Sequence, residues 1–189
     1  MSLPDHLGGH KNKTHLDEGS LNHMIRMLNV KSMLDIGCGP GGMVELAREK
    51  GLEAYGIDGD FEVSRPKSIK DYVTIHDYET GPSNFDKEVD LIWSVEFVEH
   101  VWKKYQENYM KDFQRGKFVV MTFAPPGKAG HHHVNCNTQE YWKDVFKNYG
   151  FQYDANMTRM IKEVTTLNIK GKFSHKAFVK HNGLCFVKL

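Results

Sequence analysis

The segment that most constrains the fold is residues 33–42, Met-Leu-Asp-Ile-Gly-Cys-Gly-Pro-Gly-Gly. Apolar residues lead into a glycine-rich stretch, and a helical pattern begins at Met43. This order predicts a strand, a tight turn and a helix, because glycine lets the backbone bend sharply and approach a ligand without a Cβ in the way. The start of such a helix directs free N–H groups and a partial positive charge into the turn. The segment therefore predicts a ligand-binding turn between a strand and a helix.

Two ligands are compatible with this turn. The spacing Gly37-x-Gly39-x-x-Gly42 satisfies the dinucleotide fingerprint. Asp35 precedes the first glycine, where a carboxylate attracts an ammonium group and repels a pyrophosphate. The segment resembles the first motif of class I S-adenosylmethionine-dependent methyltransferases, Asp/Glu-x-Gly-x-Gly-x-Gly, which Asp35, Gly37, Gly39 and Gly41 match. The resemblance implies S-adenosyl-L-methionine as cofactor. An NAD-dependent dehydrogenase is the alternative, and Asp35 and the lack of an evident second βαβαβ half oppose it.

The rest of the chain alternates predicted strands and helices. We predict strands at 31–36, 53–58, 72–76, 91–95 and 117–123, and helices at 20–29, 43–50, 98–113 and 138–149. Ser20 is the expected cap of the first helix, and Asn137 with Glu140 the expected capping box of the last. Strands and turns are expected over 151–189, ending in a strand at 183–187.

The alternation predicts an α/β protein with a mostly parallel sheet and helices on both faces. The resemblance implies a single Rossmann-like, doubly wound, seven-stranded sheet that ends in an antiparallel C-terminal strand pair. Residues 1–19 are expected to form a flexible arm before a single methyltransferase domain at 20–189. The arm either closes over a ligand or is disordered, and the sequence favours neither.

Composition limits the classes of partner. The chain has 189 residues, 40% of them hydrophobic and 26% charged, as in ordinary globular domains. No apolar run is long enough to span a membrane. Three cysteines at no metal-binding spacing indicate reduced thiols and a cytoplasmic location.

Charge gives little support to a nucleic-acid partner, because the net charge is only +1. Residues 71–100 hold eight acids against one base, and residues 159–189 hold seven bases against one acid. Solvated faces of different sign explain this asymmetry better than a basic rim for an anionic substrate. The residues do not determine an oligomeric state.

The cofactor site is expected beyond the carboxyl ends of the strands. Asp58 ends the second strand, where an acid binds ribose hydroxyls, although it could instead cap the turn at Gly59. The resemblance implies an adenine contact at Asp77, after the third strand. The run Ser94 to Val101 resembles the Ser-x-x-x-x-Glu-His-Val run that lies under the methyl donor in small-molecule methyltransferases. The predicted cofactor-binding residues are Asp35, Gly37, Cys38, Gly39, Gly41, Asp58, Gly59, Asp77, Tyr78, Ser94 and Glu99.

The candidate catalytic residues are histidines. Methyl transfer from a sulfonium needs an aligned acceptor and exclusion of water, and a base only for a hydroxyl or a protonated amine. We predict His100, His131 and His133 in this role. Of the three adjacent histidines after the fifth strand, at most His131 and His133 would share one side of an extended segment. A satisfied structural role for Glu99 and His100 is an equal alternative. The spacing supports no specific metal, and a metal site at these histidines stays an alternative, with His10, His15 and Asp17 as additional ligands if the arm folds over.

These features predict a methyltransferase that acts on an oxygen or nitrogen of a small molecule. Methylation of RNA or a nucleotide sugar, which only the basic tail supports, is one alternative. A non-catalytic module that binds S-adenosylmethionine is another, and the histidines oppose it. The Asn/Asp-Pro-Pro-Tyr run that is associated with amino methylation of DNA bases does not follow the fourth strand, where Ser94-Val95-Glu96-Phe97 stands instead.

Overall fold

The computed structural model of the protein describes residues 2–166 and 177–189, together with the backbone of 168–169 and 172–173. Its strands are β1 (Ser32–Ile36), β2 (Glu53–Asp58), β3 (Val73–Ile75), β4 (Val89–Ser94), β5 (Gly116–Met121), β6 (Phe151–Tyr153), β7 (Asn168–Ile169), β8 (Lys172–Phe173) and β9 (Leu184–Lys188). Its helices are α1 (Glu18–Leu28), α2 (Gly42–Glu49), α3 (Gln106–Phe113), α4 (Gln139–Asn148), α5 (Ala155–Val164) and α6 (Phe178–Asn182).

Seven strands form one sheet in the order β3-β2-β1-β4-β5-β9-β6. Strands β1 to β5 are parallel, and β9 runs antiparallel to both of its neighbours, β5 and β6. This confirms the predicted α/β class, with a mostly parallel Rossmann-like sheet and an antiparallel C-terminal strand pair. The strand order reverses between β1 and β4, and the carboxyl ends of strands at such a switch point form the ligand crevice of open α/β sheets.

The central strands are buried on both faces, which explains their nearly continuous apolar sequences. One face of the sheet packs against aromatic residues of α3 and α4, including Tyr109, Phe113, Trp142 and Phe146. The other face packs against α1, α2 and α5 in a separate core that includes Leu21 and Ile161. Helices on both sides thus fix the strand ends that surround the crevice.

The predicted helix caps were wrong in both cases. Helix α1 begins at Glu18, and its cap is Asp17, whose carboxylate accepts hydrogen bonds from the Ser20 amide at 3.0 Å and the Ser20 hydroxyl at 2.9 Å. Asp17 also accepts from the hydroxyl of Thr165 and the amide of Thr166, which ties α1 to the end of α5. Ser20 is therefore inside the helix and not its cap.

Helix α4 begins one residue later than expected, and Thr138 caps it by accepting a hydrogen bond from the Tyr141 amide at 3.2 Å. Asn137 instead donates from its side-chain amide to Asn135 at 2.7 Å. The predicted capping box is absent because the Asn137 side chain is hydrogen-bonded to Asn135, earlier in the loop.

The predicted helix 98–113 is interrupted. Residues Val98–His100 and Lys103–Tyr105 form short 3₁₀ turns, and only Gln106–Phe113 is α-helical. The carbonyl of Glu99 accepts hydrogen bonds from the amides of Val134 and Asn135, at 2.9 and 3.1 Å, instead of from the next helical turn. Hydrogen bonds to residues 134–135 thus replace helical hydrogen bonds at this position.

The expectation of only strands and turns over 151–189 was also wrong, because α5 and α6 lie there. Asp154 caps α5 by accepting from the Met157 amide at 2.8 Å. The last predicted strand is present as β9, shifted by one residue. Part of the predicted tail (167, 170, 171 and 174–176) lies outside the described residues. Of the helices described, none combines the length and the apolar character that a membrane span requires.

Candidate functional site

A cavity of about 970 Å³ opens at the carboxyl ends of β1, β2 and β4, where the strand order reverses. This volume is at the upper end of the range for small-molecule sites. Its wall includes the amino-terminal arm, the glycine turn after β1, the ends of β2 and β4 with the loops that follow them, the loop after β3, the loop 124–133 and residues of 177–182. Most predicted site residues line it, namely Asp35, Gly37, Cys38, Gly39, Asp58, Gly59, Asp77, Tyr78, His100, His131 and His133.

The glycine turn has the conformation that its sequence predicts. Gly37, Gly39 and Gly41 have φ values of +78°, +51° and +85°, in the left-handed region that favours glycine. At Gly37 a Cβ would also lie only 2.6 Å from the ring of Phe97. Gly41 does not line the cavity; it caps α2, and a Cβ there would lie 2.4 Å from Ile69. Its role in this structure is to shape the turn.

Asp35 lies in the cavity wall although only 4% of its surface is exposed. Burial, and secondarily the negative charge of Asp58, raise the pKa of this carboxyl well above its ordinary value. The side chain therefore lies where a cationic ligand would compensate a charge that burial disfavours.

Asp58 organises the glycine turn as well as facing the cavity. Its Oδ2 accepts a hydrogen bond from the Gly39 amide at 2.7 Å, and its Oδ1 accepts from the Asp60 amide at 2.8 Å. Arg65, which sequence reasoning missed, lies 3.4 Å from Oδ1 and donates to the Gly39 carbonyl at 3.0 Å. Both anticipated roles of Asp58 are compatible with this geometry, because a carboxylate oxygen accepts more than one hydrogen bond.

The groups after β3 have two different environments. Asp77 lies 2.9 Å from the Nε2 atom of His6, so the arm reaches this side of the cavity. Tyr78 is buried, and its hydroxyl donates to Asp112 at 2.6 Å. The Tyr78 ring lines the cavity, while its polar atom is already used in the core.

The structure does not bring Ser94 or Glu99 into the cavity wall. The Ser94 hydroxyl donates to the Ile36 carbonyl at 3.0 Å, which joins β4 to β1. Glu99 is fully buried behind His100, and burial, with the charge of Glu96 as the next cause, raises its pKa well above the ordinary value. Neither oxygen of Glu99 has a hydrogen-bond partner among the residues that the structure describes.

The three predicted catalytic histidines meet at one end of the cavity. His100 Nδ1 lies 2.7 Å from the His131 carbonyl, and His133 Nδ1 lies 2.9 Å from the Lys128 carbonyl. The rings of His100 and His133 are 5.0 Å apart between centroids. Burial lowers the pKa of His100 to about 4, so its ring is neutral at pH 7. His131 differs, because its Nε2 lies 3.1 Å from the Leu7 carbonyl of the arm.

His131 and His133 do not share one side of an extended strand, as the sequence argument assumed. The residues form a turn, and His132 between them has a φ of +45°. The turn explains why both neighbours still reach the cavity.

The arm packs over the glycine turn, which sequence analysis left open. The Thr14 hydroxyl accepts from the Gly42 amide at 3.1 Å, and His10 Nε2 lies 3.0 Å from Asp60. Thr14 and His10 thus join the site from a segment without sequence periodicity. A polar residue shortly before the first helix is too common a signal to have identified them.

Comparisons with known proteins agree with this geometry. A family model described as a methyltransferase domain matches residues 21–156, well over half of the chain. No curated protein matches the sequence closely enough to count as a relative.

Several solved structures share the fold at low sequence identity. Magnesium protoporphyrin IX methyltransferase from Synechocystis PCC 6803, solved with bound S-adenosylmethionine, has a TM-score of 0.58 at 12% identity, over 89% of this chain and 76% of that one. A TehB-like S-adenosylmethionine-dependent methyltransferase from Corynebacterium glutamicum has a TM-score of 0.58 at 16% identity, over 92% and 89%.

Phosphoethanolamine N-methyltransferase 2 from Haemonchus contortus, with phosphomonomethylethanolamine and S-adenosylhomocysteine, has a TM-score of 0.57 at 18% identity, over 89% of this chain and 52% of that one.

The family match, the strand order and the glycine turn beside a buried acid all lead to the same family. The chain therefore belongs to the methyltransferase-domain family and is a class I S-adenosylmethionine-dependent methyltransferase.

Proposed function

We propose that this methyltransferase transfers a methyl group to an oxygen or nitrogen atom of a small molecule held in the cavity at the ends of β1, β2 and β4. The observation that carries the proposal is the enclosure of the cavity by the arm. Contacts of His6 with Asp77, His10 with Asp60 and Leu7 with His131 place the arm across the glycine turn. A covered site of this volume suits a donor with a compact acceptor better than a polymer.

The residues of the cavity fit the donor. S-adenosylmethionine supplies a methyl group that its sulfonium charge already activates. We propose that Asp35 compensates the positive charge of the bound donor, because no described residue donates a hydrogen bond to this buried carboxylate. Gly37, Cys38, Gly39 and Gly59 provide the close backbone approach beside it. Asp58 retains acceptor capacity on Oδ2 for a ribose hydroxyl, and Asp77 and Tyr78 border the expected adenine position.

The histidines are proposed to face the acceptor. Since a backbone carbonyl only accepts, the Nδ1 atoms of His100 and His133 carry the protons, and each Nε2 keeps a lone pair. These lone pairs can accept a hydrogen bond from a hydroxyl or amine and orient its attacking atom. His131 borders the same region from the arm side. Ser94 and Glu99 act from behind the wall, as supports of the loop after β4.

The test is methyl transfer from a donor labelled in its methyl group. The purified protein is incubated in parallel with a low-molecular-weight metabolite extract and with total RNA. The proposal predicts label in the metabolite fraction, loss of it in Asp35→Asn, and its retention in His132→Asn. Label confined to RNA would refute the small-molecule acceptor, and binding of S-adenosylhomocysteine without transfer to either pool would favour the non-catalytic module.

We also propose a cytoplasmic location, which the cysteines support. Cys38, Cys136 and Cys185 are all free thiols, and Cys38 lies in the cofactor turn. Reduced thiols of this kind are typical of a reducing compartment. Fractionation of cells with an antibody against the protein would test the location, and recovery with secreted proteins would contradict it.

A further inference from the structure

At the acceptor end of the cavity, His100 and His133 in the wall and Glu99 behind them form a group of potential metal ligands. One ligand atom each of Glu99, His100 and His133 lies within 4.8 Å of the other two. We propose that these three side chains bind one divalent cation of the first transition row.

The two histidines are already oriented as metal ligands. Each donates its Nδ1–H to a backbone carbonyl, that of His131 at 2.7 Å and that of Lys128 at 2.9 Å. Metal-binding histidines typically use one ring nitrogen in this way, which fixes the tautomer and directs the other nitrogen at the ion. Their Nε2 atoms are the nitrogens that remain for a ligand.

The third group supplies independent support. Glu99 has no exposed surface, and neither of its carboxylate oxygens has a hydrogen-bond partner among the described residues. A buried carboxylate without hydrogen-bond partners is costly, and the nearby negative charge of Glu96 adds to this cost. A cation between this carboxylate and the two imidazoles gives it a partner.

The donor set indicates the class of cation. Two imidazole nitrogens and one carboxylate oxygen suit Zn²⁺, Fe²⁺, Co²⁺ or Mn²⁺, whereas Ca²⁺ and Mg²⁺ prefer oxygen ligands alone. Ligands of a tetrahedral ion at ~2.1 Å lie roughly 3.4 Å apart, so small side-chain rotations would close this group around one ion.

The ion would have an open side toward the cavity. His100 and His133 line the cavity whereas Glu99 lies behind them, so positions left free by three protein ligands face the acceptor region. Such a position takes water or an oxygen of the acceptor, and with the ion bound the histidines would orient the acceptor through the ion instead of by direct hydrogen bonds from their Nε2 atoms. This last step rests on the proposed function and favours a hydroxyl-bearing acceptor, whereas metal binding itself does not depend on it.

Titration with Co²⁺ followed by visible absorption tests the site, because the d–d spectrum reports nitrogen and oxygen ligands directly. The full chain is first freed of metal with a chelator. We expect one Co²⁺ per chain, and at least ~tenfold weaker binding in each of His100→Ala, His133→Ala and Glu99→Gln. His132→Asn is the matched control, because it removes the histidine between the ligands at a φ of +45°, which asparagine tolerates.

Affinity for S-adenosylhomocysteine, measured on the same samples, shows that each variant is folded and separates the two proposals. Unchanged Co²⁺ binding in folded His100→Ala or His133→Ala would overturn the metal site. An equal loss in His132→Asn, or the absence of stoichiometric Co²⁺ binding to the original chain, would do the same. Failure of methyl transfer with Co²⁺ bound at Glu99, His100 and His133 would contradict only the proposed function.

Discussion

At the scale of single residues, two buried carboxylates support the proposals made above, Asp35 in the cavity wall and Glu99 behind it. Burial is the largest cause of the raised pKa of both Asp35 and Glu99. The next cause is a nearby negative charge, that of Asp58 for Asp35 and that of Glu96 for Glu99. A protein that keeps such groups lowers its own stability unless a cation compensates them. The buried Asp35 carboxylate thus supports the proposal that the crevice between β1 and β4 binds a positively charged ligand and not the pyrophosphate of a dinucleotide.

Asp35→Asn should weaken binding of S-adenosylhomocysteine, because its amino group loses a charged hydrogen-bond partner. We expect a loss of about 1.5–3 kcal/mol, roughly 10- to 100-fold in Kd. Isothermal titration calorimetry measures the change, and Asp86→Asn, at an exposed position, is the control. A Kd within twofold of the original would remove Asp35 from the donor site.

The same substitution should change how stability depends on pH. The pKa of Asp35 is higher in the folded state than in the unfolded chain, so the folded state holds this proton more tightly. Its contribution to the free energy of unfolding is therefore lost as pH rises from ~4 through the raised pKa. Urea unfolding across this pH range should show a smaller decline in Asp35→Asn than in the original chain. If the free energy of unfolding declined equally in both proteins, burial would not raise the pKa of Asp35.

Gly37→Ala tests the glycine turn. The alanine would have to adopt the left-handed backbone conformation of Gly37, and its Cβ would lie 2.6 Å from the Phe97 ring. Gly150→Ala is the matched control, because its φ is +88° and no atom lies within 4 Å of the position of its Cβ. We expect a loss of roughly 1–2 kcal/mol in the control and a further loss of ~1–3 kcal/mol in Gly37→Ala. Equal unfolding midpoints would contradict the packing of Phe97 on the turn.

Much of the site could be predicted at this scale, because parallel strands bring their carboxyl ends to one edge. Asp35, Asp58 and Asp77 follow from that rule together with the glycine motif and the family resemblance. Arg65, Phe97 and Thr14 were missed, since their contacts depend on how loops and the arm fold back. Glu99 was expected in the wall but lies behind it, because the 3₁₀ turn at 98–100 directs it into the core.

At the scale of elements, strands were predicted better than helix ends. A buried parallel strand is a continuous apolar run with clear limits, and β2 was found with its observed bounds. Several neighbouring polar residues are able to cap each helix. Ser20 and Asn137 were therefore predicted as caps, whereas the structure uses Asp17 and Thr138. Helix α5 was missed although Met157, Met160, Ile161 and Val164 recur at helical spacing. The helix packs against α1 and β9.

Asp17→Ala should therefore destabilise the protein more than loss of an ordinary cap. Asp17 caps α1 and also accepts from Thr165 and Thr166 at the end of α5. We expect a decrease of roughly 2–4 kcal/mol in the free energy of unfolding, against ~1 kcal/mol for Thr138→Ala, which removes a cap alone. Urea denaturation provides both values. Similar losses in the two variants would show that Asp17 does not connect α1 to α5.

At the scale of the whole molecule, the arm and the sheet act together as a covered site. The arm contributes His6, Leu7 and His10 to contacts across the cavity, and their partners Asp77, Asp60 and His131 lie in the loops that follow β3, β2 and β5. The predicted flexibility of residues 1–19 remains a prediction. The placement of residues 6–14 over the glycine turn favours the ligand-covering alternative.

Deletion of residues 2–12 should increase the dissociation rate of S-adenosylhomocysteine, because the cover is lost while the glycine turn remains. We expect a change of roughly tenfold, mostly in the off-rate. Surface plasmon resonance measures both rates, and deletion of residues 2–3, which keeps all three arm contacts, is the control. An unchanged off-rate in the longer deletion would show that the arm does not retain the ligand.

The most direct test of the central claim is calorimetric titration of the original chain with S-adenosylhomocysteine and, separately, with NAD. The buried carboxylate beside the glycine turn predicts one S-adenosylhomocysteine bound per chain and no heat from NAD. Saturable binding of NAD without binding of S-adenosylhomocysteine would contradict the account.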